Sequence, residues 1–355
     1  MPESQSSSSV EVPVVRPALG SRLLALVWRI LVLLLAFYLL HITLRSSGAD
    51  LKQEFLRAKW PYLLLAFALN FLIQAMAAWR WSLLMSVQQM RLPYISAFKL
   101  SMAGNFFSLV IPGAVSGDLL KVAYAGRLFS GRKTEIFLTV LLDRVLGLFA
   151  MFIAALLASL LYLPRLPAFC REQPLLGLAL LAVNLACLGM LLGYFLIVSR
   201  RRFSERGFFA FGLRILSFLT PGFLRGLLAR LQAAFQLYRQ DSRVLSKHIT
   251  YSTLVHILNA LVLFCLGKAL GEKVMSFLEY CLATQVANTT GLLPLTPGGI
   301  GVRDAVSSAF FKAFAAEPAS VAGSIPVMAS ALMIITALLG ALFFVCSPRL
   351  RRMSA

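Results

Sequence analysis

Six long apolar runs constrain the fold of this chain more than any other feature. They lie near residues 23–44, 61–86, 136–163, 175–199, 249–270 and 323–346. A helix needs about 20 apolar residues to cross a bilayer, so each run is long enough to span one. Only 14% of the 355 residues are charged and 59% are hydrophobic, whereas about a quarter of a soluble domain is charged. The sequence therefore predicts an all-α polytopic membrane protein with about six spanning helices.

Two further apolar segments, about 95–128 and 277–316, are interrupted by proline, glycine and charge, in VIPGAVSGDLLK and PLTPGGIGVRDA. Loops rich in Lys and Arg stay in the cytoplasm. The 121–135 stretch, the 200–248 connector and the tail are the basic loops of this chain. Both ends of the first segment then face the cytoplasm, and both ends of the second face outward. Each segment is predicted to be a re-entrant hairpin or a pair of short helices.

This topology predicts two inverted repeats, since each half reads span, span, broken segment, span. The predicted organisation is a disordered tail at 1–20, a first membrane repeat at 21–163, a second at 164–199 plus 249–348, a basic amphipathic cytoplasmic connector at 200–248 and a basic tail at 349–355. Both termini are expected in the cytoplasm, with the protein in the plasma (bacterial inner) membrane. The net charge of +20 favours contact with anionic lipid over nucleic acid, for which no binding module is evident.

The broken segments are the predicted substrate site. Irregular backbone at membrane depth is tolerated only inside protein or beside a wet cavity, and a helix that begins there directs its N–H groups and positive dipole end into that space. Such breaks at matching places in inverted halves are typical of transporter substrate sites. The predicted substrate-binding residues are Asn105, Pro112, Gly113, Gly117, Asp118, Lys121, Asp143, Arg144, Asn288, Pro297, Gly298, Gly299, Gly301, Arg303 and Asp304.

Charged residues at these places have two readings that the sequence leaves open. Arg144 and Arg303 are the main candidates for phosphate contacts, because a guanidinium binds phosphate with two parallel hydrogen bonds. The nearby aspartates could orient these arginines or carry a coupling proton; alternatively, the charges form internal ion pairs that hold the halves together. Arg80, in WRW, is predicted to be an anchor at the membrane interface. His256 and Asn259 share one face of the fifth span and are predicted to make a polar contact between helices, with a proton relay as the alternative.

Several motifs together resemble a known family. PLTPGGIGVRDA, with LDRVLGL, VIPGAVSGDLLK and WRW at 79–81, resembles the lysylphosphatidylglycerol synthase transmembrane-region family, which includes the YbhN-like membrane proteins and the flippase half of the multiple peptide resistance factor. The resemblance covers roughly 20–348 and implies a flippase-like fold that handles a lipid with a polar, often phosphate-linked, head group. The family's usual Glu after VR is Asp304 here. The resistance factor adds a soluble aminoacyltransferase domain, whereas this chain ends at Ala355, so synthase activity is not expected.

The predicted function is a flippase-like transporter of an anionic lipid or lipid-linked intermediate. Two alternatives remain: an accessory subunit of a lipid or envelope-polymer synthesis complex, and an intramembrane lipid transferase. The expected partners are the bilayer, its anionic lipid and, as further candidates, a second copy of the chain or a synthase. No catalytic constellation, metal site or cofactor is predicted, because the sequence shows no metal-ligand cluster and no His/Cys nucleophile pair. The five cysteines are scattered without zinc or redox spacing.

Overall fold

The computed structural model describes residues 56–110, 116–199, 238, 241–290, 301–315 and 319–346. Within these ranges the regular structure is entirely helical, which confirms the predicted all-α fold. In chain order the helices are α1 (Trp60–Val87), α2 (Tyr94–Val110), α3 (Ser116–Leu128), α4 (Lys133–Leu161), α5 (Leu166–Glu172), α6 (Pro174–Ser199), α7 (Ser242–Ala269), α8 (Phe277–Thr290), α9 (Val302–Ala315) and α10 (Ala319–Cys346).

Five of these helices are long and apolar enough to cross a membrane, and they match five of the six predicted runs. The candidate spans are Trp60–Val87, Lys133–Leu161, Pro174–Leu192, Arg243–Ala269 and Gly323–Phe344. At a rise of 1.5 Å per residue, the 28 residues of α1 extend about 42 Å, which exceeds the hydrocarbon thickness of about 30 Å. The sixth predicted run, 23–44, lies outside the described residues. The chain is a multi-pass membrane protein.

Each interrupted segment forms two helices that pack against each other: α2 with α3, and α8 with α9. In the first pair the contact is between glycines. A Cβ on Gly117 would collide with the carbonyl oxygen of Gly104 and with the hydroxyl of Ser108, and the Gly117 N–H donates to that hydroxyl at 3.2 Å. The predicted break residues Pro112 and Gly113 lie outside the described residues.

The packing of the helices has a pseudo-two-fold symmetry. Exchanging α1 with α7, α2 with α8, α3 with α9 and α4 with α10 maps every packed pair among these eight helices onto a packed pair, with α1–α7 mapped onto itself. Within the halves, the contacts α1–α2, α2–α3 and α3–α4 correspond to α7–α8, α8–α9 and α9–α10. Between the halves, α2–α10 corresponds to α8–α4, and α4–α7 to α10–α1.

The equivalent helices α1 and α7 run antiparallel, so the halves are inverted relative to each other. At one end of the pair, the Lys59 N–H donates to the carbonyl of Ala269 at 2.9 Å. At the other end, Arg80 of α1 contacts Ser252 of α7 at 2.9 Å. The residue numbers rise along one helix as they fall along the other, which agrees with the inverted repeats predicted from the sequence. The side of the membrane that each half faces stays a prediction.

Helix α7 begins earlier than the sequence pattern predicts. Its first residue is Ser242 rather than 249, and the Asp241 side chain caps it by accepting a hydrogen bond from the Val244 N–H at 3.2 Å. Residues assigned to the basic connector therefore form the first two turns of a spanning helix. His248, in those turns, is fully buried. The remainder of the predicted connector, apart from Tyr238 and Asp241, lies outside the described residues.

Candidate functional site

Two carboxylates lie at corresponding places at the starts of the helices that follow the breaks. Asp118 is the third residue of α3, and Asp304 is the third residue of α9. Each contacts a residue 26 positions further along the chain: Asp118 pairs with Arg144 on α4, and Asp304 with Ser330 on α10. Because α3 and α4 correspond to α9 and α10, these are the same contact in the two halves. We call the two sets of residues the first-half group and the second-half group.

The first-half group consists of Asp118, Lys121 and Arg144. The Arg144 Nε–H donates to a carboxylate oxygen of Asp118 at 2.5 Å, and the Lys121 ammonium lies 3.6 Å from the other oxygen. Lys121 also lies over the ring of Trp81, 5.6 Å from its centroid. The Asp118 side chain is 7% exposed, whereas that of Arg144 is 52% exposed. Two cations, Lys121 and Arg144, therefore lie against the one carboxylate of Asp118, and the Arg144 guanidinium is half exposed.

The second-half group consists of Arg303, Asp304, Ser330 and Met333. The Ser330 hydroxyl lies 2.8 and 2.7 Å from the two oxygens of Asp304. The Arg303 guanidinium donates to the Ser330 hydroxyl at 3.2 Å, approaches Asp304 at 3.7 Å and extends to the Met333 sulfur at 3.8 Å. This group is electrically balanced. Its arginine comes from the helix that follows the break, whereas the first-half arginine comes from the long helix.

Both groups lie far from the ends of the long helices. Arg144 is the twelfth residue of α4, which has 29 residues, and Ser330 is the twelfth residue of α10, which has 28. At 1.5 Å per residue each therefore lies about 16 Å from the start of a helix of about 42 Å. Charged groups at that depth are costly and mark functional positions by default.

The two groups are connected by packed side chains at the interface between the halves. Phe106 and Leu109, at the end of α2, pack in one cluster with Ile334 and Ala337 of α10. Met333, the residue that Arg303 contacts, packs against the same cluster. Ser108 of α2 accepts a hydrogen bond from the Gly117 N–H at the start of α3, so α2 contacts both the start of α3 and the helix that carries Ser330.

Arg80 occupies a different environment from the one its sequence context predicts. Its guanidinium donates to both oxygens of Asp143, at 2.8 and 2.9 Å, and to the Ser252 hydroxyl at 2.9 Å. The Arg80 side chain is only 12% exposed. The prediction of an interfacial anchor is therefore wrong, because a buried carboxylate on α4 offers this arginine a stronger partner than the interface does. Asp143 therefore orients Arg80. Arg144, the residue that follows Asp143 in the chain, pairs with Asp118 instead.

His248 completes this buried cluster and gives it the composition of a catalytic triad. Its Nε2 lies 2.9 Å from Asp143 Oδ1, and its Nδ1 lies 3.3 Å from the Ser252 hydroxyl. The Ser252 hydroxyl, however, is fully buried and lies 2.6 Å from the His248 backbone carbonyl, to which it donates. With Arg80 also donating to it, the Ser252 oxygen is neither accessible to a substrate nor oriented for nucleophilic attack. The arrangement is a buried polar cluster joining α1, α4 and α7.

The other predicted residues have more varied positions. The Asn105 amide donates to Gln74 of α1 at 2.6 Å, which ties the broken segment to the first long helix. Asn288 is half-buried at the end of α8, and Gly301 has a φ of 89° immediately before α9. His256 contacts the carbonyl of Gly147 at 3.1 Å and so makes the predicted contact between helices. Outside the described residues lie Pro112, Gly113, Pro297, Gly298 and Gly299.

Asn259 of the predicted His256–Asn259 pair bonds within its own helix, to the carbonyl of Val255 at 3.0 Å. Two buried glutamates were not predicted. Glu279 accepts hydrogen bonds from Ser276 and Tyr162, and Glu272 accepts one from Tyr280. Their oxygens are satisfied by these and neighbouring donors, so they stabilise the start of α8. The sequence did not predict that these two carboxylates are buried, because each follows a stretch with the composition of a loop.

A family comparison covers this whole arrangement. Residues 24–352 match the family described as the lysylphosphatidylglycerol synthase TM region. The chain belongs to this family. The match includes all ten described helices and both groups of charged residues, and it confirms the resemblance carried by the sequence motifs.

Two relatives align with this chain over most of their length. UPF0104 membrane protein PH1989 of Pyrococcus horikoshii is 24% identical over 277 residues, which cover 74% of this chain and 80% of the relative. A UPF0104 membrane protein of Methanothermobacter thermautotrophicus is 22% identical over 287 residues, covering 76% of this chain and 80% of the relative. Both similarities support a membrane protein of the lysylphosphatidylglycerol synthase TM-region family.

Proposed function

We propose that this protein is a flippase-like transporter that moves an anionic lipid, or a lipid-linked intermediate, between the two leaflets of the plasma (bacterial inner) membrane. The observation that carries the proposal is the pair of equivalent groups at Asp118–Arg144 and Asp304–Ser330, each at the start of a helix and far from the ends of a long one. A phosphate-type head group is the ligand that suits a helix N-terminus with an adjacent arginine.

The composition of the first-half group, with two cations beside one carboxylate, supports an anionic substrate. Asp118 holds Lys121 and Arg144 in place through its two oxygens. An incoming phosphate would take the place of the Asp118 carboxylate beside Arg144, whose side chain is half exposed. Such an exchange replaces one ion pair by another, so the phosphate can both bind and be released.

Inverted halves offer a route for transfer across the membrane. Because the halves are related by a two-fold axis, a state in which the first-half group opens to one side implies an equivalent state in which the second-half group opens to the other. The head group would pass from Arg144 to Arg303 near the membrane centre while the acyl chains stay in lipid. The N- and C-termini lie in the cytoplasm in this proposal, as the basic loops require.

The intramembrane transferase is the weaker alternative. The Ser, His and Asp side chains that come together, Ser252, His248 and Asp143, are buried around Arg80, and the Ser252 hydroxyl donates to the His248 carbonyl. An accessory role in a lipid or envelope-polymer synthesis complex is the stronger alternative, because transfer needs an energy source or a partner to be directional. In that role, a synthase would lose activity when this chain is deleted.

The experiment that tests the proposal is transbilayer movement of labelled lipids by purified protein in liposomes. We expect labelled phosphatidylglycerol to exchange between leaflets faster than in empty liposomes, and labelled phosphatidylcholine of the same chain length to exchange much more slowly. Folded protein that moves neither lipid would contradict the flippase proposal and favour the accessory role. Chemically altered lipid recovered from the vesicles would instead support the transferase.

A further inference from the structure

Three amide side chains lie near the middle of the long helix α1 and beside it, apart from the two groups of charged residues. Asn70 and Gln74 are the eleventh and fifteenth of the 28 residues of α1, so they lie about 15 and 21 Å from the start of a helix of about 42 Å. Because they are four residues apart, they share one face of α1. The third amide, Asn105 on α2, contacts Gln74.

The contact of Asn70 crosses the interface between the halves and leaves its amide oxygen available. Its Nδ2 donates to the Thr336 hydroxyl oxygen on α10 at 2.6 Å, and that hydroxyl donates to the Leu332 carbonyl at 2.8 Å. The Thr336 oxygen must therefore accept from Asn70, which fixes the orientation of the amide. Within the described part of the chain this is the one hydrogen bond of the Asn70 side chain, so its Oδ1 can still accept.

The contact between Asn105 and Gln74 leaves a donor and an acceptor. One N–H···O bond of 2.6 Å joins the two amides. Whichever amide donates, one carbonyl oxygen and one NH₂ group of this pair keep free capacity among the described residues. Asn70, Gln74 and Asn105 are each only partly buried, and none of their free atoms is enclosed by protein. Bare amide groups are costly in hydrocarbon, so this face favours a polar ligand or water.

These amides lie one helical turn from the arginine of the second-half group. The Arg303 guanidinium reaches the Met333 sulfur on α10 at 3.8 Å. Thr336, the partner of Asn70, is three residues further along the same helix, a rise of about 4.5 Å. A phosphate at Arg303 would therefore have hydrogen-bonding amides within reach of the alcohol that it esterifies.

We propose that Asn70, Gln74 and Asn105 bind hydroxyl groups of the lipid head group whose phosphate binds Arg303, so that the substrate is a phosphate ester of a polyol such as glycerol or a sugar. A hydroxyl donates to an amide oxygen and accepts from an NH₂ group, which matches the free capacity on both sides. The choline group has no donor. An ethanolamine ammonium has no acceptor for the NH₂ group, and Arg303 repels it.

This inference rests on the proposed function for its phosphate site and adds the class of head group. Displacement of a fluorescent phosphatidylglycerol from purified protein in detergent tests it. The competitors are phosphatidylglycerol and phosphatidylmethanol with the same acyl chains; each carries one negative charge, and the second has no hydroxyl on its head group. We expect the wild type to bind phosphatidylglycerol on the order of tenfold more tightly. Asn70→Leu and Gln74→Met should each reduce this preference and leave the affinity for phosphatidylmethanol unchanged.

The matched control is Asn184→Leu. Asn184 is also an amide in the middle of a long apolar helix, and it donates to Ser159 of the neighbouring helix at 2.9 Å. Its loss removes a contact between helices, so it may lower the Tm but should keep the full preference for phosphatidylglycerol. If Asn70→Leu fails to fold, Gln74→Met still tests the site, because it leaves the bond between Asn70 and Thr336 in place.

Equal binding of the two competitors by the wild type would overturn the hydroxyl site. A full preference in both Asn70→Leu and Gln74→Met would overturn its assignment to these amides. Either result can occur in a protein that moves anionic lipids between leaflets, so it leaves the proposed function standing. Folded protein that binds neither competitor would contradict the proposed function together with this inference.

Discussion

Asp118 and Asp304 occupy equivalent positions in two inverted halves, yet the first pairs with an arginine and the second with a serine on the following long helix. The second half supplies its arginine, Arg303, from the residue just before the aspartate. Each half therefore combines one carboxylate and one guanidinium at a helix start, by different routes. The same chemistry at both places is what a substrate handed from one half to the other needs.

Removing the charge of Asp118 should strengthen binding of an anionic lipid. In Asp118→Asn, Lys121 and Arg144 lose their carboxylate partner, and an anion no longer competes with it. We expect phosphatidylglycerol to bind on the order of tenfold more tightly, with slower release and slower transfer. Binding of a fluorescent phosphatidylglycerol to purified protein in detergent measures this affinity. The matched control, Asp118→Glu, keeps the charge and should bind close to wild type; equal or weaker binding by Asp118→Asn would contradict the exchange mechanism.

The buried pair Arg80–Asp143 should make a large contribution to stability. Arg80→Met leaves Asp143 buried without its bidentate partner, and loss of one member of a buried pair costs about 3–5 kcal/mol. We expect a clearly lower Tm in detergent, and a double variant with Asp143→Leu that is less destabilised than the sum of the single variants. A snorkelling arginine would cost little, so an unchanged Tm for Arg80→Met would contradict the buried position.

Close packing between the halves at Gly340 should be sensitive to a single methyl group. A Cβ on Gly340 would collide with the backbone carbonyl of Met102 on α2, so Gly340→Ala should destabilise the fold by about 1–3 kcal/mol. The control is Gly189→Ala on α6, where the described structure leaves open space for a Cβ. That change should stabilise the helix by about 0.5–1 kcal/mol. Equal thermal stability of the two variants would show that α2 and α10 are not packed as described.

Much of this architecture is readable from the sequence. Apolar length predicts the long helices, because crossing a bilayer requires it, and proline with glycine predicts where helices break. Asp118 and Asp304 are recognisable because each follows such a break. Their placement in two oppositely oriented repeats follows from the Lys and Arg content of the loops. The antiparallel contact of α1 with α7 agrees with that opposite orientation.

The buried cluster around Arg80 and Asp143 could not be predicted from the sequence, for physical reasons. Arg80 stands between two tryptophans, which is the composition of a membrane interface, and only tertiary packing brings Asp143 to it across 63 residues. His248 follows a basic connector, so nothing local indicates that α7 begins at Ser242. Ser330 is an ordinary small residue of an apolar helix, and its pairing with Asp304 becomes visible only beside the equivalent pair Asp118–Arg144.

The measurement that tests the central claim most directly compares transfer of labelled phosphatidylglycerol in liposomes by the wild type, Arg144→Ala, Arg303→Ala and the control Arg171→Ala. Arg171 lies exposed on the short helix α5, away from both groups. We expect transfer by the wild type and by Arg171→Ala, and loss of at least about tenfold in each of the other two, which should remain folded in detergent. Transfer at the wild-type rate by both Arg144→Ala and Arg303→Ala would contradict a head-group site at the two helix starts.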